Sequence, residues 1–186
     1  PAAPAGVGGN LKVASFNVLN YFTTFTNGQT ADGLSGQGCS LDGTVATSNC
    51  RGATSSAEFI RQRNKIVEAM LLLDADVLGL MEIQNNGNTA VDNLVEALNT
   101  RLGAGTYASV GLPAAGTGSD AIRVAMIYKP SRVARSGAAL SDTDAVNNRP
   151  TLAQTFQMAN GVNFSVLVNH LKSKGSVNDP DMGDGQ

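Results

Sequence analysis

The central feature of the hydrophobic pattern is an apolar run over residues 75–85, Ala-Asp-Val-Leu-Gly-Leu-Met-Glu-Ile-Gln-Asn. A short run of this kind between polar residues predicts a strand that is buried on both faces. Glu82 interrupts the run near its end, where an ionised carboxylate is costly without a partner. We therefore expect Glu82 either to meet a cation or to lie just past the sheet, where open α/β sheets bind ligands.

Two amphipathic helices are predicted on either side of this strand. The first begins with a capping box formed by Ser55 and Glu58, and the second with a capping box formed by Thr89 and Asp92. The apolar positions at helical spacing are Phe59, Ile66, Met70 and Leu73 in the first helix and Val91, Leu94, Val95, Leu98 and Leu102 in the second, which Gly103 ends. Each pattern is typical of a helix that packs on a sheet.

Further strands are predicted over residues 11–17, 107–110, 122–128, 152–158 and 162–169. The dipeptide Asn160-Gly161 between the last two is a strong hairpin signal, so the second half of the chain is predicted to be antiparallel sheet. Residues 21–51 are rich in Gly, Thr, Ser and Asn and are predicted to form a long loop. In the last strand the apolar positions share one parity, which His170 continues at the strand's end.

Length and composition favour one domain. The 186 residues, 42% of them hydrophobic, suffice for a single core or for a large part of a bigger domain. Residues 1–10 resemble a linker, which leaves residues 11–186 for the domain. Charged residues interrupt every long apolar stretch, so no membrane span is predicted. A net charge of −2 and a pI near 5.3 provide no overall basic surface for nucleic acid.

Cys39 and Cys50 are the only cysteines in the chain. Paired, they would close a loop of about a dozen residues and stabilise the fold by roughly 3 kcal/mol. The alternative is two unrelated free thiols, although exposed thiols are usually avoided. The paired interpretation favours an oxidising compartment outside the cytoplasm.

Several polar side chains are candidates for chemistry. Asn17 follows a predicted strand and is either a ligand or a turn-forming residue. His170 is the only histidine in the chain, and a lone histidine is more often structural than catalytic. Its neighbours Asn169, Lys172 and Lys174, with Arg149 across the predicted hairpin, favour a phosphate pocket.

At this point the chain resembles the endonuclease/exonuclease/phosphatase superfamily, which has the deoxyribonuclease I-like fold, and within it the secreted bacterial nucleases. The matching segments occur in the family's order and cover the chain from Leu11 onward. They are Ser-Phe-Asn17-Val-Leu-Asn-Tyr-Phe, Cys50-Arg-Gly-Ala followed by Glu58-Phe-Ile-Arg-Gln-Arg and Lys65-Ile-Val, Ala75-Asp-Val-Leu-Gly-Leu-Met-Glu82-Ile, Ser119-Asp120-Ala-Ile-Arg-Val-Ala-Met-Ile-Tyr128, Asn148-Arg149-Pro150 and Val168-Asn169-His170-Leu-Lys-Ser-Lys-Gly175.

The resemblance implies a mixed α/β fold, a four-layer α/β/β/α sandwich of which this chain is the amino-terminal part. It implies that Glu82 ligates a divalent ion, Mg²⁺ first and Mn²⁺ or Ca²⁺ as alternatives, with Asn17 near a second metal or the scissile phosphate. His170 becomes one of two catalytic histidines and Arg149 a phosphate contact. Asp120 is expected to orient His170 or a neighbour. Hard oxygen ligands suit the chain, because a zinc site needs more His or Cys.

The chain departs from the family pattern in its second half. It has neither the Gly-Asp-x-Asn motif nor the terminal Asp-His pair, and Gly183-Asp184 does not supply the former. The resemblance therefore implies that further catalytic residues lie in a missing carboxy-terminal part of the same domain and that the 186 residues alone are inactive.

The function expected from the resemblance is that of a secreted or periplasmic bacterial nuclease acting on DNA or RNA, with the oligomeric state left open. One alternative is the same fold acting on a phospholipid head group or a phosphomonoester. The other is a non-catalytic fragment that binds anions or a partner through an exposed sheet edge.

Overall fold

The computed structural model describes residues 2–3, 5–6, 8–147 and 149–171. Within these residues the elements in chain order are β1 (Val13–Tyr21), β2 (Cys39–Leu41), β3 (Thr44–Ala46), α1 (Ser56–Leu73), β4 (Val77–Gln84), α2 (Thr89–Leu102), β5 (Ala108–Ser109), β6 (Ile122–Tyr128), β7 (Val133–Leu140), β8 (Leu152–Met158) and β9 (Asn163–Val168). A four-stranded sheet has the order β1-β4-β6-β5, in which β1 and β4 are parallel and the other pairs antiparallel. Strands β7, β8 and β9 form an antiparallel second sheet.

Helix α1 begins as its sequence predicts. Ser55 is the N-cap, and its Oγ accepts a hydrogen bond from the Glu58 backbone N–H at 3.3 Å. The Glu58 carboxylate reaches one residue further back than a capping box requires, to the N–H and hydroxyl of Thr54. These bonds lower the pKa of Glu58. The helix ends at Asp74, which adopts the left-handed conformation.

The predicted N-cap of α2, Thr89, is wrong. Asn88 occupies the N-cap position with no side-chain capping bond, and Thr89 is already helical. The Ala90 N–H is satisfied instead by Asn86 Oδ1 at 3.1 Å. Asp92 points toward β5, where it accepts a hydrogen bond from the Ser109 hydroxyl at 2.8 Å. Asn86 and Ser109 therefore take the place of the predicted capping box, and Thr89, the predicted N-cap, is the first helical residue.

Both faces of the four-stranded sheet are covered. The helices pack on one face, in a core to which α1 contributes Phe59, Ile66, Val67 and Met70, α2 contributes Ala90, Val91, Leu94 and Leu98, and the sheet contributes Leu78, Leu80, Ile83, Ala125 and Ile127. The second sheet packs on the other face through Val133, Leu152, Phe156 and Val168 against Val77, Val124 and Met126. The mixed α/β class is confirmed, and the described residues form an α/β/β stack.

The two sheets are in close contact at Gly79. A Cβ atom at this position would lie 2.7 Å from Val168 Cγ2, which is too short for any side chain. Glycine therefore allows β9 to lie directly against β4. His170 lies two residues after the end of β9, so this contact determines the position of the histidine relative to β4.

Two regions differ from the sequence prediction. Residues 21–51 contain the β2–β3 hairpin, so the segment is not an unbroken loop. Strand β7 was not predicted at all, because most of its side chains are small or polar and exposed, and only Val133 and Ala139 are buried. Pairing with β8 makes it a strand. The Cys39–Cys50 disulfide is confirmed. Among the described helices, none has the length and apolar character needed to cross a bilayer.

Candidate active site

Matched irregularities in β1 and β4 produce the candidate site. The two strands pair in parallel register until Asn17 lies opposite Met81, and the next pair is Tyr21 opposite Ile83. Two residues inside this break on β1 adopt left-handed φ values, and so does Glu82 on β4, at φ 66°. Left-handed conformations in residues other than glycine are unfavourable and tend to occur at functional sites.

The irregularity turns Glu82 out of the helix-facing core. Leu78 and Leu80 face the helices, and after the break Ile83 does so in place of Glu82. Side chains alternate along a strand, so one extra residue changes the side to which the following residues point. Since β4 continues to Gln84, Glu82 lies within the strand and not past the sheet. Its side chain is 18% exposed.

Neutral donors hold the Glu82 carboxylate. Oε1 accepts a hydrogen bond from Asn17 Nδ2 at 2.9 Å, and Oε2 accepts one from the Asn20 backbone N–H at 3.0 Å. Asn17 is itself oriented, because its Oδ1 accepts from the Leu19 N–H at 2.8 Å. Each carboxylate oxygen therefore has a defined direction, and neither donor is a cation.

His170 faces Glu82 from the second sheet. Its Nε2 lies 3.7 Å from Glu82 Oε1, and its Nδ1 is buried without a hydrogen-bond partner among the described residues. Burial lowers the pKa of His170, and the Arg149 guanidinium lowers it further, whereas Glu82 and Asp120 act to raise it. The imidazole is therefore held mainly neutral at pH 7, with one ring nitrogen available to exchange a proton.

Asp120 joins two arginines near this pair. Arg149 Nε donates to Asp120 Oδ2 at 2.8 Å, and Arg51 Nη1 lies 3.2 Å from Asp120 Oδ1. Gly118 fits against the ring of Pro150, where a Cβ would lie only 2.7 Å from Pro150 Cδ. That contact holds the Arg149 segment beside the loop that carries Asp120. Asp120 thus orients Arg149, a neighbour of His170, and in the structure it does not contact the imidazole directly.

The predicted residues do not all meet. Glu82, Asn17 and His170 form one cluster, and Asp120 with Arg149 forms a second one close enough to affect the pKa of His170. Asn169 is exposed, and among the described residues no side-chain hydrogen bond joins it to either cluster. Lys172 and Lys174 lie outside the described residues. The assigned roles of all these residues stay predictions.

Sequence reasoning missed three positions that shape the site. Asn20 contributes only its backbone N–H, which no side-chain pattern reveals. Arg51 lies in the Cys50-Arg-Gly-Ala segment but received no role. Gln84 is 2% exposed, and its Oε1 accepts from the backbone N–H groups of Thr23 and Thr24. It thereby fixes the chain just after the β1 irregularity.

The donor set fits one hard divalent cation. In the part of the chain that the structure describes, no cluster of three or more His, Cys, Asp or Glu side chains is arranged to hold a metal. Glu82 nevertheless supplies one carboxylate that no Lys or Arg of the described residues neutralises, beside the Asn17 carboxamide. Mg²⁺ commonly binds through one or two carboxylates, with water and substrate phosphate as its other ligands.

Among known proteins, several solved structures are similar to this chain. No protein-family model matches the chain, and no curated protein does. Similar solved structures include humanized D. rerio TDP2, with 14% identity, a TM-score of 0.48 and coverage of 88% of this chain and 48% of that one. For the human Nocturnin catalytic domain with bound sulfate, the values are 18% identity, a TM-score of 0.44 and coverage of 64% and 45%.

A third similar structure is the endonuclease/exonuclease/phosphatase from Bacteroides vulgatus, with 12% identity, a TM-score of 0.48 and coverage of 84% of this chain and 51% of that one. The chain spans about half the length of these structures. At these TM-scores and identities the similarity indicates nothing about the activity of this chain.

Proposed function

We propose that this chain carries the amino-terminal part of the active site of a divalent-metal-dependent phosphodiesterase that hydrolyses nucleic acid outside the cytoplasm. The observation that carries the proposal is the pairing of Glu82 with His170. A carboxylate held only by neutral donors faces an imidazole whose pKa is lowered, across the contact between two sheets. The disulfide supports an oxidising compartment.

Each group has a role in this proposal. Glu82 would hold Mg²⁺ or Mn²⁺, with Asn17 positioning the carboxylate, and the bound ion would supply stabilisation of negative charge on phosphate oxygens. Arg149, held by Asp120, would contact a phosphate oxygen through the guanidinium donors that Asp120 leaves free. Neutral His170 would accept or donate a proton at Nε2. The positive charge that the surface lacks is thus supplied locally.

Metal binding tests the part of the proposal that belongs to these residues. Mn²⁺ is titrated into the purified 186-residue chain, and free Mn²⁺ is measured by electron paramagnetic resonance. We expect one site, lost in Glu82→Gln and retained in the matched surface variant Glu96→Gln on α2. No Mn²⁺ binding by the unaltered chain, or equal binding by both variants, would contradict the assignment of Glu82.

Hydrolysis tests the rest. Plasmid DNA is incubated with Mg²⁺, with and without EDTA, using both the 186-residue chain and a natural protein that contains it with its continuation. The resemblance implies cleavage by the longer protein that EDTA blocks, and none by the 186 residues alone. His170→Ala in the longer protein should remove most turnover with an unchanged melting temperature. Cleavage of a phosphomonoester or a phospholipid head group, with plasmid left intact, would replace the nuclease proposal by that alternative.

A further inference from the structure

Arg51 is placed by the disulfide. It directly follows Cys50, which is 6% exposed and is bonded to Cys39, which is 1% exposed. Both half-cystines pack in a small core with Phe22, the residue that follows β1, and with Ile122 at the start of β6. The cystine therefore joins the segment carrying Arg51 to the two strands that border the candidate site.

The backbone beside Arg51 is pressed against the β1 irregularity. A Cβ atom at Gly52 would lie 2.5 Å from Phe22 Cβ and 3.0 Å from the Asn20 carbonyl oxygen. Asn20 is the residue whose N–H holds Glu82 Oε2. The next residue, Ala53, accepts a hydrogen bond from the Thr26 N–H at 3.1 Å. Arg51 thus starts from a backbone fixed relative to the Glu82 carboxylate.

The loop that carries Asp120 is tied to the same disulfide segment. The Asp42 N–H donates to the Ser119 carbonyl at 2.8 Å, and the Ser119 hydroxyl donates to Asp42 Oδ1 at 2.6 Å. Asp42 belongs to the turn between β2 and β3, inside the loop that the disulfide closes. Arg51 and Asp120 are therefore held against each other by the backbone as well as by their own ion pair.

Asp120 leaves most of the donor capacity of both arginines free. One Asp120 oxygen is paired with Arg51 Nη1, and the other accepts a hydrogen bond from Arg149 Nε. Each guanidinium has five N–H donors. The Arg51 side chain is 39% exposed and that of Arg149 is 16% exposed. The two arginines therefore bind different oxygens of one carboxylate, and the Arg51 side chain is the more exposed of the two.

We infer that Arg51 is a second phosphate-binding residue, which contacts a phosphate next to the one held at Arg149 and so favours a polynucleotide over a substrate with a single phosphate. The inference rests on the proposed function and identifies its substrate class. Guanidinium groups bind phosphate with paired donors, and Asp120 keeps the two arginines at a fixed separation. The Cys39–Cys50 disulfide holds this arrangement together.

Oligonucleotide binding without metal tests the inference independently of hydrolysis. A short fluorescein-labelled single-stranded DNA is titrated with the 186-residue chain in EDTA, and its anisotropy is followed over a series of salt concentrations. Loss of one phosphate contact reduces the slope of log K against log salt by about 0.7 for single strands. We expect that reduction in Arg51→Gln, together with roughly three- to tenfold weaker binding at low salt.

Three variants and one competitor separate a phosphate contact from a structural role. Arg51→Lys keeps the charge and should keep the slope, Arg51→Met should behave like Arg51→Gln, and Arg61→Gln on the exposed face of α1 should resemble the unaltered chain. Inorganic phosphate should compete equally well in the unaltered chain and in Arg51→Gln, because one phosphate needs only the Arg149 position. Melting temperatures confirm that each variant is folded.

The inference is overturned by an unchanged salt slope in both Arg51→Gln and Arg51→Met, or by an equal change in Arg61→Gln. Failure of the unaltered chain to bind the oligonucleotide overturns it too. None of these results alters the Mn²⁺ titration or the plasmid assay, so the inference can fail while the proposed function stands. Retained Mn²⁺ binding with no effect at Arg51 would identify Arg51 as a structural partner of Asp120 only.

Discussion

Both ends of the four-stranded sheet carry carboxylates, but the side chains and backbone groups that surround these carboxylates differ between the two ends. At one end Asp76, whose side chain is 5% exposed, accepts the Lys12 backbone N–H at 2.9 Å and Arg132 Nε at 3.2 Å. Beside it, Asp74 binds the ammonium groups of Lys12 and Lys129, and the first of these hydrogen bonds does most to lower its pKa. This end is neutralised by cations of the chain itself.

At the other end Glu82 has two neutral donors, and of the described residues only His170 lies within salt-bridge distance. The strands also differ. Near Asp76 the pairing of β4 with β1 and β6 is regular, whereas near Glu82 both pairings shift register. Of the carboxylates at the two ends of this sheet, Glu82 is thus the candidate metal ligand, because the fold leaves its charge unpaired and its position fixed.

The largest effect expected from this difference concerns metal affinity. Glu82→Gln keeps the size of the side chain and removes its charge, so Mn²⁺ affinity should fall at least about a hundredfold, the upper range for loss of a group that merely supports a metal site. The free energy of unfolding should change by less than about 1 kcal/mol, because no buried cation is left unpaired. Titration with Mn²⁺ and urea unfolding measure the two effects. A large loss of stability would show that Glu82 is structural.

At the Asp76 end of the sheet we expect a loss of stability without a loss of Mn²⁺ affinity. Asp76→Ala leaves the Lys12 N–H and Arg132 without their acceptor and should lower the free energy of unfolding by about 2 kcal/mol. Mn²⁺ affinity should not change. Asp74→Ala is the matched control and should cost less than about 1 kcal/mol, because the Asp74 side chain is 60% exposed. Weaker Mn²⁺ binding in Asp76→Ala would show that the two ends are coupled.

A smaller effect on the free energy of unfolding is expected from the left-handed backbone conformation, and here the substitution should stabilise the fold. Leu19 has a φ of 52° and is 72% exposed, so Leu19→Gly removes little packing and relieves an unfavourable conformation. We expect it to raise the free energy of unfolding by about 0.5 kcal/mol. Val45 in β3, 67% exposed and not among the left-handed residues, is the control, and Val45→Gly should lower stability by a similar amount. Equal losses in both variants would refute strain at the site.

The smallest effect is the titration of His170. As the only histidine it gives one imidazole signal in ¹H NMR, and its midpoint should lie below the ordinary pKa of 6.5. Arg149→Gln removes a charge that lowers this pKa and should move the midpoint up, whereas Glu82→Gln should move it down. Since folding lowers the pKa, the stability that neutral His170 contributes is full above 6.5 and is lost as pH falls through the folded value. Shifts in the reverse directions would contradict the described geometry.

Much of the fold follows from local pattern. The apolar run around Glu82, the two helices and the β8–β9 hairpin were predicted because their periodicity and turn chemistry act over a few residues. Strand β7 was missed because its small and exposed side chains carry no pattern, and it forms through pairing with β8. The cap at Thr89 was wrong because Asp92 found a partner in Ser109, a contact that local sequence does not encode.

Several side chains of the site are recognisable from local pattern: one carboxylate in a buried strand, one histidine on the inward parity of the last strand, and two cysteines able to close a loop. Their arrangement depends on contacts between distant parts of the chain. The shifted register of β1 and β4 turned Glu82 out of the helix-facing core, Gly79 let β9 bring His170 to it, and the disulfide placed Arg51 on Asp120. The physical reason is that alternation and propensity act between near neighbours, whereas strand register, sheet packing and ion pairing join residues far apart in the chain.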